Sequence, residues 1–197
     1  MNAKRLWHTI RLMTKRGARS RAEYLKRKQI FAHVGENCSF MQRSIPLYPE
    51  LIRFGDNVHT ASNVNFATHD ITHMVVNHVL EKQGRKERVN EKIGCIDIGS
   101  DVFIGAGVRI LYDVKIGSRV IIGAGALVTR DIPDNSIAVG VPAHVIGTFD
   151  DYIEKRLEEK KWPDGLAPSG QQVSKALQDW LWADFKARHN AGRDDRG

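Results

Sequence analysis

The stretch IGSDVFIGAGVRILYDVKIGSRVIIGAGALVTRDIP, from Ile98 to Pro133, repeats with a period of six residues. The first and fifth places of every hexapeptide are aliphatic, and the second place is glycine in four of the six units. This period is neither the helical period of about 3.6 residues nor the twofold alternation of a strand in an ordinary sheet. Short repeats of fixed length are typical of solenoids, and hexapeptides in particular indicate a parallel β-helix.

The chemistry of the repeat fits a coil of short strands and corners. β-Branched residues suit a pleated, inward-facing surface, and each buried Ile contributes roughly 1.5–3 kcal/mol. A single coil has no core of its own, so several must stack. Glycine at the second place is predicted to allow corner conformations that a Cβ would resist. The positions predicted to form the core are Ile98, Val102, Ile104, Val108, Ile110, Val114, Ile116, Val120, Ile122, Ala126, Val128 and Ile132.

The same pattern occurs less cleanly earlier in the chain. Hexapeptides run from Phe54 to Asn65, and FATHD follows, after which the period stops until the regular stretch begins. The predicted fold class is therefore mainly β, with helical flanks at both ends. We predict a basic helical arm at residues 1–32, a β-helix domain at 33–147 with an extruded loop at 71–92, and a C-terminal helical extension at 148–197.

Charge is distributed unevenly along the 197 residues, whose formal net charge is +7. Residues 1–30 carry ten Lys or Arg and one acid, so the rest of the chain is slightly negative. Because the excess lies in an arm, a general nucleic-acid-binding domain is not indicated. Two alternatives remain for the arm, a helix packed on the domain or a helix lying on an anionic membrane surface. The apolar side of that helix comprises Leu6, Trp7, Ile10 and Met13.

Composition also bears on location. The hydrophobic fraction of 42% is ordinary for a globular protein. No apolar stretch reaches the roughly 18 residues of a membrane span, and no apolar signal core follows the basic start. Cys38 and Cys95 belong to no redox or metal CxxC pair. We therefore expect a cytoplasmic protein, peripheral at the inner membrane face if the arm binds lipid.

The segment from Ile98 to Gly147, which closes with VGVPAHVIG, resembles the hexapeptide-repeat acyltransferases, and within them the maltose and galactoside O-acetyltransferases. The resemblance covers about residues 33–147. It implies a left-handed parallel β-helix, against the usual right-handed crossover. It also implies a homotrimer with active sites between subunits and acetyl-CoA as the acyl donor. The implied acceptor is a sugar or glycan, of the polysaccharide or lipopolysaccharide type.

Within this resemblance, His69 in FATHD occupies the place of the family's general base, where a loop leaves the coil. A neutral imidazole can remove the proton of a hydroxyl that attacks a thioester, so the implied reaction is direct acyl transfer without an acyl-enzyme. The group that orients His69 stays open. Asp70 is adjacent, but neighbours in a strand point to opposite faces, and a backbone carbonyl is an equal candidate.

Other positions carry over from the family residue by residue. Phe103 stands where the family often has Trp, beside the acetyl end of the donor, and one amide of Ala106 or Gly107 would stabilise the oxyanion. The residues implied to bind the donor are Phe103, Ala106, Gly107, Ala124, Gly125, Thr129 and Arg130. Those implied to bind the acceptor are Gln42, Arg43, Asn63, Asn65 and Asp70. The fold needs small residues at these glycines and alanines in any case, so packing alone is the alternative explanation for them.

Three other functions stay open. An amino-sugar N-acetyltransferase, with a nucleotide-linked acceptor, can use the same histidine as its base. A zinc hydratase similar to γ-class carbonic anhydrases would need three histidines, and His69, His73 and His78 lie within ten residues. No metal is expected, because two of these lie in the non-repetitive loop. A non-catalytic scaffold is the third alternative, and the intact THD sequence and the small residues of the donor channel count against it.

The C-terminal region is predicted to form helices at residues 149–161 and 171–189, separated by the turn-rich linker WPDGLAPSG. One stripe of the second helix is apolar and comprises Val173, Leu177, Trp180, Leu181 and Phe185. The final AGRDDRG is predicted to be disordered.

Overall fold

The structure, a computed structural model, describes residues 3–170 and 172–191. The chain divides into two compact units, Met1–Glu154 and Lys155–Gly197. Residues 192–197, almost all of the stretch predicted to be disordered, lie outside the described residues. The domain boundaries predicted after residues 32 and 147 stay predictions.

The first unit is built on a three-sided coil of parallel strands, numbered here in chain order. The first sheet consists of β1 (His33–Val34), β3 (Ile52–Phe54), β8 (Ile96–Ile98) and β11 (Val114–Ile116). The second consists of β2 (Ser39–Phe40), β4 (Val58–Thr60), β9 (Val102–Ile104), β12 (Val120–Ile122) and β14 (Ser136–Val139), with β15 (His144–Thr148) antiparallel at its edge. The third consists of β5 (Asn65–Ala67), β10 (Arg109–Leu111) and β13 (Leu127–Val128).

Equivalent residues in successive coils of the regular stretch are eighteen positions apart. Val102 pairs with Val120, and Ile110 pairs with Val128. Three hexapeptides therefore complete one coil, and each aliphatic position stacks on its equivalent in the next. All the positions predicted to form the core are buried, with no more than 5% of their surface exposed. The parallel coil predicted from the repeat is confirmed.

The second and fourth places of the hexapeptide have different backbone roles. A Cβ added to Gly105, at a second place, would lie 2.5 Å from the amide nitrogen of Ala124 in the next coil. Left-handed φ angles occur instead at the fourth place, with 60° at Asn63, 71° at Gly107 and 73° at Gly125. The predicted reason for glycine at the second place, a corner conformation, is therefore wrong. Close approach of neighbouring coils is the reason.

Two helices from the basic arm cover the first coil. They are α1 (Ala3–Met13) and α2 (Ala18–Arg27), and α2 packs against β1 and β2. Leu12, Tyr24 and Leu25 belong to the same buried core as the coil. Arg21 is 1% exposed and donates its Nε–H to the carbonyl of Phe40 at 2.8 Å. The arm is thus a helical cover for one end of the coil.

The apolar side of α1 is not the side that packs on the coil. His8 and Leu12 are the buried residues of this helix. The residues of the predicted apolar side are between 43% and 53% exposed, and they are Leu6, Trp7, Ile10 and Met13. None of the helices within the described ranges is long and apolar enough to cross a membrane.

The chain leaves the coil after β5. A two-stranded antiparallel ribbon, β6 (His69–Asp70) with β7 (Lys92–Ile93), frames the excursion. Between these strands lies α3 (Thr72–Lys82), a helix that was not predicted within the extruded loop. Met74, Val75 and Val79 of α3 are exposed on the single chain.

The C-terminal helices are α4 (Phe149–Leu157), which is shorter than predicted, and α5 (Lys175–Ala191). Within the second unit, the rings of Trp162 and Trp180 meet edge to face, with centroids 6.1 Å apart. Leu177 is fully buried, whereas Val173 precedes α5 and is 44% exposed. The predicted apolar stripe of this helix is therefore only partly buried.

Candidate active site

His69 begins β6, at the point where the chain leaves the third sheet. The preceding Thr68 is fully buried and donates its hydroxyl to the carbonyl of Leu47 at 2.6 Å. The carbonyl of Thr68 accepts the amide of Gly94 at 2.9 Å. The ring of Tyr48 contacts the imidazole edge to face, with centroids 5.4 Å apart. The backbone before His69 and one side of its ring are therefore held in place.

The Nδ1 atom of His69 is buried and has no hydrogen-bond partner among the described residues. Within the ranges that the structure describes, neither Asp70 nor a backbone carbonyl forms a hydrogen bond with Nδ1. A buried polar atom without a partner costs about 1–3 kcal/mol. The nitrogen is thus open to a partner from outside the chain.

Asp70 joins the coil to α3. Its Oδ1 accepts the amide of Thr72 at 3.0 Å and the hydroxyl of the same residue at 2.6 Å. Its Oδ2 accepts the hydroxyl of Tyr112 at 2.6 Å. These hydrogen bonds, the one from the Thr72 hydroxyl first, lower the pKa of the Asp70 carboxyl to about 2. The carboxylate is used within the chain, and its role as an acceptor ligand stays a prediction.

Gln42 and Arg43 are also used within the chain. Gln42 is 7% exposed, and its Oε1 accepts the hydroxyl of Thr60, so this side chain lies in the interior and not in an open groove. Arg43 is exposed and donates to the carbonyl of Met13 at 3.0 Å, at the end of α1. The Nε2 of Gln42 is buried and has no hydrogen-bond partner among the described residues, and Arg43 is partly committed to the helical cover. The role of both residues toward an acceptor stays a prediction.

Several predicted residues do meet at one corner of the coil, between the second and third sheets. Asn63, Gly107 and Gly125 take the fourth place in successive coils there. The amide of Gly107 donates to the carbonyl of Ser62 at 2.9 Å, and that of Gly125 donates to the carbonyl of Ala106 at 2.8 Å. A Cβ on either glycine would meet no atom within 4 Å, so this row of backbone faces open space.

These hydrogen bonds bear on which backbone amide, that of Ala106 or that of Gly107, could stabilise the oxyanion. The N–H of Gly107 is already committed to the neighbouring coil. Within residues 3–170 and 172–191, the N–H groups of Ala106 and Ala124 have no backbone partner. Both residues are exposed at the corner. These two amides are free to donate to a ligand there.

Phe103 projects outward from β9 and is 45% exposed. It lies between His59 and Ile121 on the outer surface of the second sheet, and the three residues line a depression of about 380 Å³. Thr129 and Arg130 are exposed after β13, at the corner between the third and first sheets. Asn65 is exposed on the outer surface of the third sheet, between these corners.

Phe103, predicted to contact the donor, and His69, the predicted base, thus lie on different sides of a single chain. Phe103 faces out from the second sheet, whereas His69 emerges at the far edge of the third. A strand of three residues spans about 10 Å, so the width of the third sheet separates the two corners. The structure brings Ala106, Gly107, Ala124 and Gly125 together at the corner between the second and third sheets. Thr129 and Arg130 lie at the other corner of the third sheet, where His69 leaves the coil.

The part of the chain that the structure describes contains no set of side chains that could hold a metal ion. No group of three or more His, Cys, Asp or Glu side chains there converges as metal ligands do. His69, His73 and His78 therefore do not form the triad that a zinc hydratase would need.

Three residues of the site were missed by the sequence reasoning. Tyr48 lies in the segment where the hexapeptide pattern breaks, and it has a left-handed φ of 50°. Thr68 precedes the histidine, and Tyr112 holds Asp70. The break in the period at residues 41–51 was the available signal for the first of these. The other two are contacts between coils, which the period does not specify.

Comparison with known proteins agrees with this architecture. Residues 96–130 match the family described as bacterial transferase hexapeptide (six repeats). Protein CapG of Staphylococcus aureus is 38% identical over 144 residues, which cover 72% of this chain and 80% of that protein. Galactoside O-acetyltransferase of Lactococcus lactis is 34% identical over 155 residues, which cover 68% of this chain and 71% of the relative.

A solved structure of galactoside acetyltransferase in complex with coenzyme A superposes with a TM-score of 0.53 at 27% identity. The match covers 84% of this chain and 88% of that chain. The repeat-built coil and these similarities define a transferase of the hexapeptide class. The chain belongs to the hexapeptide-repeat acyltransferases, and it is an enzyme of that family.

Proposed function

We propose that the protein transfers an acetyl group from acetyl-CoA to a hydroxyl of a sugar or glycan, with His69 as the general base. The observation that carries this proposal is the position of His69, where a held imidazole with a free buried nitrogen interrupts the repeat. The similarity to galactoside O-acetyltransferase supports a sugar acceptor. Polysaccharide and lipopolysaccharide sugars belong to the same class of acceptor.

Acetyl-CoA would supply the activated thioester, and the chain's own residues would manage the protons and the charge. Nδ1 of His69 is buried, so Nε2 is the nitrogen that accepts the proton of the attacking hydroxyl. The imidazolium then returns a proton to the departing sulfur. The N–H of Ala106 would donate to the oxygen that gains negative charge. No covalent bond to the enzyme is needed.

The open corner around Gly107 and Gly125 fits the slender pantetheine arm of such a donor, because no side chain obstructs the backbone there. Phe103 would contact the acetyl end. Arg130, with Thr129 beside it, would meet the phosphates, for which a guanidinium is well suited. Ala124 would line the channel between these ends.

We infer further that the coil is left-handed and that the active protein is a homotrimer. The hexapeptide similarity supports the hand of the coil. The separation of Phe103 from His69 on one chain supports the trimer, since a second copy can place its second sheet against the third sheet of the first. The exposed apolar side chains of α3 supply a surface for such a contact.

We propose a cytoplasmic location. We further propose that residues 1–30 make peripheral contact with the inner face of the membrane. The exposed side of α1 supports it, because Leu6, Trp7, Ile10 and Met13 are available on the single chain while cations flank them. A helix of this kind can lie in a membrane interface.

The central experiment measures thiol release from acetyl-CoA and analyses products by mass for a panel of sugars and amino sugars. We expect O-acetylated sugar from the full chain, and turnover about 10²–10⁴-fold lower for His69→Ala. His78→Ala, an exposed histidine on α3, is the matched control and should be unaffected. Near-normal turnover in His69→Ala would remove the base assignment. Acetylation of amines alone would favour the amino-sugar N-acetyltransferase.

A further inference from the structure

A basic cavity lies directly beside the proposed base. It has a volume of about 500 Å³, within the range of small-molecule sites. Its walls come from α1, from the residues that follow α2, and from the segment 45–50. Lys4, Arg5 and Lys28 line it, and Glu50 is the only acid among its lining residues. The cavity therefore carries a net positive charge.

This cavity and His69 share a wall. Tyr48 lines the cavity and also contacts the imidazole, with ring centroids 5.4 Å apart. Leu47 also lines the cavity, and its carbonyl accepts the hydroxyl of Thr68, the residue before the base. The cavity thus borders two of the residues that hold the base in place.

Arg5 and Lys28 form no ion pair in the part of the chain that the structure describes. Across residues 3–170 and 172–191, Nε of Arg5 is also buried with no hydrogen-bond partner. His8, on the same wall, bonds Tyr24 through Nδ1 at 2.8 Å. Burial, and after it Lys4 and Lys28, lower the pKa of His8, so the cationic field extends across the cavity. Such a field favours an anion with several oxygens.

We propose that this cavity binds the phosphate or diphosphate group of an acceptor sugar, so that the sugar itself projects past Tyr48 to His69. The inference rests on the proposed acetyl transfer and names the acceptor class as a phosphate-linked sugar. A nucleoside diphosphate sugar and a polyprenyl diphosphate sugar share this chemistry. The basic arm then recognises the acceptor in addition to covering the coil.

The binding test uses the full chain and inorganic pyrophosphate, titrated by calorimetry at two salt concentrations. Arg5→Gln and Lys28→Gln should each weaken binding about tenfold, the scale of one charged hydrogen bond. Glu50→Gln should strengthen it, because a repulsive charge is removed. Arg19→Gln, an exposed cation outside the cavity, is the matched control and should change nothing. Added salt should weaken binding.

The kinetic test compares a free sugar, its nucleoside diphosphate form and its polyprenyl diphosphate form. We expect a lower KM for one or both phosphorylated forms, competitive inhibition by pyrophosphate, and a rise in KM in Arg5→Gln confined to the phosphorylated acceptor. The form with the lower KM identifies the source of the diphosphate. Equal KM values for all three acceptors would overturn the proposal.

The remaining outcomes separate this inference from the proposed function. Transfer to free sugar that depends on His69, without pyrophosphate binding, would overturn the cavity assignment and leave acetyl transfer intact. Pyrophosphate binding that depends on Arg5 and Lys28, without transfer to any sugar, would overturn the proposed function and support the cavity. Equal pyrophosphate binding by all variants with unchanged melting temperatures would contradict the cavity assignment.

Discussion

Tyr48 meets His69 edge to face, with ring centroids 5.4 Å apart and ring planes at 80°. The contact joins the irregular segment before β3 to the break in the repeat after β5. Tyr48 adopts a left-handed φ of 50°, which bulky residues adopt rarely, so the fold imposes this position on the ring. The aromatic contact therefore acts on the orientation of the imidazole.

Removing this ring should lower turnover. We expect Tyr48→Ala to reduce kcat about 2–10-fold, the equivalent of one aromatic pair, while Tyr48→Phe keeps near-normal kcat. Assays should use a sugar without phosphate, so that the cavity beside Tyr48 does not contribute. Near-normal kcat in Tyr48→Phe, together with a shifted pH–rate profile in Tyr48→Ala, would show that Tyr48 positions the imidazole of His69. An Ala variant with normal kcat and an unchanged profile would contradict it.

Mixing two inactive variants tests whether the site is shared between chains. His69→Ala lacks the base, and Phe103→Glu places a negative charge beside the proposed donor; Phe103 is exposed, so folding should survive. After subunit exchange at equal amounts, a trimer with shared sites should recover about one quarter of wild-type activity. Unmixed variants are the control. Absence of recovery in confirmed mixed trimers, or a monomer by light scattering, would contradict the shared site.

The Asp70 carboxyl predicts a defined response to acid. Its pKa is lowered in the fold to about 2 from an ordinary 3.8, so its ionised form stabilises the fold above that ordinary value. This contribution is lost as pH falls from about 4 through about 2. Tyr112→Phe should raise the pKa of Asp70, as measured by carboxyl NMR titration, and Tyr152→Phe should not. An unchanged value in Tyr112→Phe would disprove the hydrogen bond.

Gly105 and Gly107 should respond differently to substitution by alanine. A Cβ on Gly105 would press on the amide of Ala124, and overpacking of this kind costs about 1–3 kcal/mol. A Cβ on Gly107 meets open space, but the left-handed φ of 71° costs about 1–2 kcal/mol. Gly107→Asn should relieve much of that cost, whereas Gly105→Asn should not. Urea unfolding measures both; equal rescue would contradict the distinction.

The exposed side of α1 predicts membrane association. The full chain should sediment with anionic vesicles, less so at high salt, and Trp7→Ser with Ile10→Ser should release it. Both residues are about half exposed, so folding should survive, and Trp182→Ser is the matched control in the second unit. Equal, salt-insensitive recovery of all proteins in the supernatant would end the membrane hypothesis. A change of oligomeric state in the α1 variant would assign this side to a subunit contact.

The coil could be predicted from the sequence because each hexapeptide places Ile or Val where the geometry buries it. The candidate positions Gly107 and Gly125 follow from that period, whereas His69 follows from its interruption and from the family resemblance. The contacts of Gln42 and Asp70 could not be predicted, because their partners, Thr60 and Tyr112, come from neighbouring coils. The helix α3 was missed since the Met- and Val-rich run THMVVNHVLEK carries no strong start signal. Tyr48 reaches the base through a turn that no local pattern encodes.

Equivalent residues of successive coils in the regular stretch lie eighteen positions apart in the sequence, so their spacing along the coil axis is fixed. Successive strands lie about 4.8 Å apart, so every position along the coil axis is a whole number of such steps from its equivalents. Arg130 occupies the same corner as Thr68, two steps further along, which sets an axial separation of about 10 Å between the proposed phosphate contact and the residue before the base. Inserting eighteen residues would lengthen that interval by one step and leave every side chain facing as before. The axial spacing of these two residues within one chain is thereby fixed by the number of coils between them.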